Sequence, residues 1–227
     1  MPEAKSPLEK REILLVGGAG GLGSAAAKLL ESEGAHIVIS SRHRGLRADI
    51  TKAEDRKWLL DAVPKLYGLV IFAGDPARGS AEEAMQVSHA INYEGPILLA
   101  RDAAERMKQA AMPGAIVVFA TMQAVALFPG STVYASEKAA LLHAARILAK
   151  ECRGPANIRV NVIAPGVMAA GMAEASIAKG KYEKYLTDGA IARYGRADDV
   201  AKAVRFLLEP DNYITGQVLS IDGGITL

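Results

Sequence analysis

Leu14 to Gly23 reads LLVGGAGGLG, a short aliphatic run that ends in five glycines within seven residues. The apolar run reads as a buried strand. From Leu22 to Glu33 small and apolar residues recur at helical spacing, and Gly34 ends the helix. Strand, glycine turn and helix in that order predict an anion site. Glycines adopt positive φ and let the backbone approach a ligand, and the helix N-terminus offers unspent N–H donors and a partial positive charge. Two spacings fit the same letters. Gly18-x-Gly20-x-x-Gly23 matches a dinucleotide-binding fingerprint, and Gly17-x-x-x-Gly21-x-Gly23 matches a second glycine spacing that accompanies a different active site.

Outward from this loop the pattern repeats. His36–Ser40 is a second strand, and a third short strand runs into Asp49 after the basic residues 41–48. Thr51-x-x-Glu54 and Ser80-x-x-Glu83 have the spacing of capping boxes that open helices. GLVIFA (68–73), AIVVFA (115–120) and 158–164 are strands, Ser131–Glu151 is one long helix, and the helix signal around 83–110 breaks near Gly95-Pro96. A helix over 198–208 and a strand over 216–221 follow. The strands are continuous apolar runs alternating with helices, which predicts a parallel sheet covered on both faces. The expectation is one doubly wound α/β domain of Rossmann type, with about seven strands, over 11–227. Residues 1–10 read as a tail, and the irregular stretch 167–195 reads as a substrate lid.

Composition narrows the class. The chain has 227 residues, half of them hydrophobic, and 27 basic against 25 acidic side chains give a net charge of +2. That balance, without a Lys/Arg block, argues against nucleic-acid binding. The single cysteine, Cys152, cannot form an internal disulfide and reads as structural. The four histidines lack metal-ligand spacing, so no metal site is expected. The polar start lacks the apolar core of a secretory signal, and no stretch is long and apolar enough to span a bilayer, which predicts a cytoplasmic protein without membrane contact.

The end of the second strand bears on the cofactor. An acid about 20 residues beyond the glycines typically holds the ribose 2′-hydroxyl of NAD. Here the strand ends Ser40-Ser41-Arg42-His43-Arg44 with no acid before Asp49, and Arg42 suits a 2′-phosphate. NADP(H) is therefore the expected cofactor, with NAD(H) the alternative. In the long helix, Tyr134 and Lys138 stand at i, i+4 on one face, and Thr121 lies just beyond a strand's C-terminal end, where open α/β sheets bind ligands.

With these residues assembled, the chain resembles the short-chain dehydrogenase/reductase family along nearly its whole length. Gly17, Gly20, Gly21, Leu22 and Gly23 resemble its cofactor loop, which favours the second glycine spacing. Ser41 and Arg42, the pair Asp49-Ile50, Ala73-Gly74, and Pro165-Gly166-Val167 stand where family members hold the cofactor's adenosine and nicotinamide ends. Asn92, Thr121, Tyr134 and Lys138 match its catalytic set, with Thr121 replacing the usual serine. Val16 replaces a threonine, Ile71-Phe72 an asparagine pair, and Ala170 a threonine common beside the nicotinamide. The resemblance, nearest to 3-oxoacyl-acyl-carrier-protein reductases, implies hydride transfer between nicotinamide and a carbonyl or secondary alcohol. In it Tyr134 is the acid–base group, its pKa lowered by cationic Lys138, Thr121 orients the substrate oxygen, and Asn92 holds a relaying water. It also implies a small-molecule substrate and a homotetramer or homodimer. The rival readings are an NAD-dependent secondary-alcohol dehydrogenase and a non-catalytic nucleotide sensor or scaffold.

Overall fold

A computed structural model describes residues 6–76 and 82–227. Seven parallel strands form one sheet: β1 (Glu12–Val16), β2 (His36–Ser41), β3 (Leu46–Arg47), β4 (Leu66–Ile71), β5 (Gly114–Phe119), β6 (Ile158–Pro165) and β7 (Val218–Ile221). Their spatial order is β3-β2-β1-β4-β5-β6-β7. The order reverses between β1 and β4, and a crevice opens there at the strands' C-terminal ends.

Side-chain alternation in the strands explains the layers. Leu14 and Val16 of β1 face one way, into a core shared with Leu59, Leu99 and Leu141 from α2 (Ala53–Asp61), α4 (Gly95–Gln109) and α5 (Thr132–Glu151). Ile13 and Leu15 face the other way, against Leu30 of α1 (Gly21–Ser32) and Val200 and Val204 of α8 (Ala197–Leu208). A strand buried on both faces needs apolar residues at every position, which is why these runs do not alternate.

Four local expectations are corrected. The stretch 6–10 is packed rather than free: Leu8 is fully buried in the α1/α8 core, the Ser6 hydroxyl donates to Glu33 at 2.8 Å, and the Lys10 amide donates to the Gly34 carbonyl at 2.8 Å. Leu8→Ala should therefore cost about 2–4 kcal/mol of stability, read as a lower urea midpoint with unchanged slope. A midpoint equal to wild type would show that the contact carries no load. The capping box at Thr51 does not form, because the Thr51 hydroxyl donates to Asp49 Oδ1 at 2.8 Å and α2 begins after Lys52. Ser80, of the second such pattern, lies outside the described residues. The break at Gly95-Pro96 is instead a π-helical turn, Ala90–Glu94, joining α3 (Glu82–His89) to α4, with Pro96 in the first turn of α4. The stretch 167–195 is not irregular throughout. It carries a 3-10 turn at Gly171–Ala173 and two short helices, α6 (Glu174–Ile177) and α7 (Glu183–Thr187).

Candidate active site

The crevice is a cleft of about 820 Å³ between the C-terminal ends of the central strands and the 167–195 segment. At its start, Gly17 holds φ +77°, and a Cβ there would lie 2.9 Å from the Ala73 nitrogen, so only glycine lets the β1 and β4 loops touch. Val16 cannot donate the side-chain hydrogen bond of a threonine. The loop is braced by backbone instead: Gly17 N–H to the Ser40 carbonyl and Phe72 N–H to the Val16 carbonyl, both 2.8 Å. The N-cap of α1 is Gly20, no side chain caps the helix, and its first turn has no acid. The first N–H donors of α1 are thus left for a ligand, and this glycine cradle fits the pyrophosphate of a dinucleotide.

The ends of β2 and β3 lie on the side of β1 away from β4. The Ser41 hydroxyl accepts from Arg44 N–H at 2.7 Å and donates to its carbonyl at 2.8 Å, folding a tight turn that leaves Arg42 exposed. Beyond β3, Asp49 receives hydrogen bonds from the Thr51 backbone (3.1 Å) and hydroxyl. Burial acts to raise its pKa, but the Thr51 hydrogen bonds and the Lys52 and Arg42 charges outweigh it, and the carboxyl is held below its usual range. Arg56, buried on α2, donates to the Ile50 carbonyl at 2.9 Å and fixes the residue beside it.

The π-turn places Asn92. It is fully buried, its Oδ1 accepts from Asp75 N–H, and its Nδ2 donates to the Asp75 carbonyl, both at 2.9 Å, and to Ser88 Oγ at 3.1 Å. This clamp fixes the loop that carries Ala73 and Gly74. A Cβ on Gly74 would lie 3.1 Å from Lys138 Nζ and 3.2 Å from Asn92 Oδ1, so Gly74 leaves room for both groups.

Thr121 lies at the end of β5, buried, with its hydroxyl accepting weakly from Gln123 N–H at 3.4 Å. Tyr134, from the first turn of α5, lines the cleft and shares a hydrogen bond with Thr121. One turn further, Lys138 is 2% exposed and donates to the Phe119 carbonyl at 3.0 Å and the Ala73 carbonyl at 3.2 Å. Burial lowers its pKa to about 7. Burial, then the Asp75 charge, pushes the Tyr134 phenol up to about 12, against the opposing Thr121 hydrogen bond. The expected depression of Tyr134 by Lys138 is therefore not what this geometry produces, because the amine is committed to two carbonyls.

Pro165, Gly166 and Val167 line the cleft at the end of β6. The segment beyond is pinned at its base: Met168 pairs with Gly195, and Ala169 N–H donates to the Gly195 carbonyl at 2.7 Å. Its return is fastened by Arg193, which grips both oxygens of Asp199 at 2.6 and 3.0 Å. Tyr182 and Tyr185 stack 6.4 Å apart at the cleft. Sequence reasoning missed the Asp75 charge beside Tyr134; its position directly after Ala73-Gly74 was the available signal. It also missed that Phe72 would pack on Phe119, ring centroids 4.4 Å apart, as an apolar floor to the cleft. Cys152 is buried, and burial raises its thiol pKa. Among the described residues no helix is long and apolar enough to cross a membrane, and no group of three or more His, Cys, Asp or Glu could hold a metal.

Comparison with known proteins bears on this arrangement. Residues 46–226 match a family model described as enoyl-(acyl carrier protein) reductase. The chain is 34% identical over 246 residues to carbonyl reductase family member 4 of Danio rerio, spanning 96% of this chain and 98% of that protein. It is 32% identical over 237 residues to 3-oxoacyl-[acyl-carrier-protein] reductase of Bos taurus, spanning 93% and 96%. Among solved structures, ElxO with NADP bound has a TM-score of 0.85 at 26% identity, covering 95% of this chain and 98% of that one.

Proposed function

The chain belongs to the short-chain dehydrogenase/reductase family of oxidoreductases, and on that premise we propose that it reduces a ketone with NADPH, Tyr134 supplying the proton. The observation that carries this reading is the Tyr134–Thr121 hydroxyl pair facing the cleft, with Lys138 buried behind it.

A bound nicotinamide would supply the hydride that a carbonyl carbon accepts. The chain's own residues do the rest. The glycine cradle and α1 N-terminus would hold the pyrophosphate, Arg42 would take the 2′-phosphate, and Asp49-Ile50 would flank the adenine. Pro165 to Val167 cover the nicotinamide side. Thr121 donates to the substrate oxygen and orients it, and Tyr134 delivers a proton to that oxygen as negative charge develops. Asn92, through the Asp75 backbone, keeps the Ala73–Gly74 loop and Lys138 in place. Burial keeps the phenol protonated at neutral pH, so it has a proton to give in the reductive direction. The segment 167–195 acts as a lid, hinged where Met168 meets Gly195. The carbonyl reductase and oxoacyl reductase relatives support a ketone or oxoacyl substrate. We place the protein in the cytoplasm as a homotetramer or homodimer joined through α4 and α5.

The test is a ketone and oxoacyl-thioester panel with NADPH and NADH, followed by loss of reduced-cofactor absorbance. Turnover with NADPH is expected. Binding of NADPH without turnover on any member would favour the sensor reading.

The Lys138 pKa adds a pH signature. Its folded value of about 7 lies below the ordinary lysine value, so the ammonium is present below that pH and lost as pH rises through it. An anionic dinucleotide favours the ammonium, so the Lys138 contribution to NADPH affinity should fade by several-fold between about pH 6 and about pH 9. The measurement is the wild-type pH dependence of Kd minus that of Lys138→Met, which removes the part due to the 2′-phosphate. Parallel curves would refute the assignment.

A further inference from the structure

The lid begins where the chain crosses the glycine loop. A Cβ placed on Gly21 would lie 3.0 Å from the Gly171 nitrogen and 3.4 Å from the Ala170 Cβ, so the lid's first turn runs against the first residue of α1. The Gly171 N–H does not face an open site. It donates to Glu174 Oε1 at 2.8 Å. An exposed carboxylate from the lid is thereby tied to a backbone amide that adjoins the uncapped, positive end of α1. Neither Ala170 nor the first turn of α1 carries a charged side chain.

We infer that Glu174 sets the cofactor affinity of this protein by holding a negative charge beside the pyrophosphate cradle, where it occupies the Gly171 amide and opposes the incoming diphosphate. The inference rests on the reading that the glycine loop holds the pyrophosphate. Its physical content is a like-charge repulsion at the lid's first turn, together with a donor already spent on the protein's own carboxylate. The opposing account is that Glu174 merely finishes the short turn into α6, with no effect on ligand.

Glu174→Gln separates the two, because the amide keeps an oxygen that can accept from Gly171 while the charge disappears. The experiment is a fluorescence titration of NADPH, without substrate, on wild type and on Glu174→Gln, each at low and high salt. A parallel titration uses adenosine 2′-monophosphate, which carries no pyrophosphate. The variant should bind NADPH about fivefold more tightly at low salt. That gain should shrink at about 1 M salt, where screening acts over a few ångströms. Adenosine 2′-monophosphate should bind both proteins alike. Equal or weaker NADPH binding by the variant overturns the inference, as does an equal gain for adenosine 2′-monophosphate, which would mark a general surface-charge effect. Absence of NADPH binding by both folded proteins overturns the site reading itself, and is distinct from binding by both without a gain.

Discussion

Tyr134→Phe should lower carbonyl reduction by about a hundred- to ten-thousandfold while NADPH binding stays within about twofold of wild type. The substitution removes one oxygen from a residue that lines the cleft and leaves the ring in place, so no cavity opens and α5 keeps its packing. What is lost is the proton donor. Burial and the Asp75 carboxylate keep that proton on the phenol to about pH 12, so no neighbouring group removes it before the substrate arrives. Thr121, left without its hydroxyl partner, can still orient a substrate oxygen but cannot supply a proton it must then recover. Single-turnover reduction, with cofactor binding measured separately, isolates the step. Turnover within tenfold of wild type would remove Tyr134 from the mechanism. Unchanged turnover together with lost NADPH binding would make it a cofactor contact alone.

The frame of the molecule was legible because it depends on local patterns. Runs such as Ile13–Val16 and Leu66–Ile71 are apolar at every position, and only a strand buried on both faces requires that. The glycine loop was legible for a similar reason, since Gly17 must take positive φ and admit the Ala73 backbone. The misreadings share a different cause, a contact that the local letter pattern does not specify. Thr51 has the letters of a cap, but its hydroxyl goes to Asp49. Gly95-Pro96 looks like a helix end, yet the helix passes through because Asn92 anchors a π-turn on Asp75, distant in sequence. Leu8 looks like part of a charged tail until the α1/α8 core that receives it is known. Tyr134 and Lys138 share a helical face as their spacing requires, but the long lysine stem reaches the carbonyls of Phe119 and Ala73, which the spacing cannot reveal.

The altered family positions are explained by the same kind of contact. Where the family carries an asparagine pair, Phe72 packs on Phe119 and fastens the ends of β4 and β5 by ring contact, worth about 0.5–1.5 kcal/mol beyond the buried area. Where Val16 lacks a hydroxyl, the Ser40 carbonyl and the Phe72 amide hold the loop through backbone. Polar braces are thus exchanged for apolar and main-chain ones, and the cleft keeps its shape with a less polar floor.

Arg42→Glu should weaken NADPH binding by about a hundredfold and leave NADH binding within about threefold of wild type. The turn after β2 sets the position of this side chain. Ser41 ties both the N–H and the carbonyl of Arg44, so the chain doubles back and Arg42 projects from the strand's end. Its charge acts on Asp49, so the guanidinium stands near the residue that the proposed adenosine pocket uses. A charge-assisted hydrogen bond to phosphate contributes about 1.5–3 kcal/mol, and reversing the charge adds repulsion to that loss. NADH has no 2′-phosphate, and a carboxylate at this place can accept from its ribose hydroxyl, so its binding is spared. Arg44 and Arg47 lie close in sequence and share the positive field, which makes Arg44→Glu the control. If that variant weakens NADPH as much as Arg42→Glu does, diffuse charge governs the preference. If only Arg42→Glu does, a single directed contact governs it. Titration of both dinucleotides against the three proteins decides, and an NADPH-to-NADH affinity ratio unchanged within about threefold by Arg42→Glu would defeat the assignment of the 2′-phosphate to this residue.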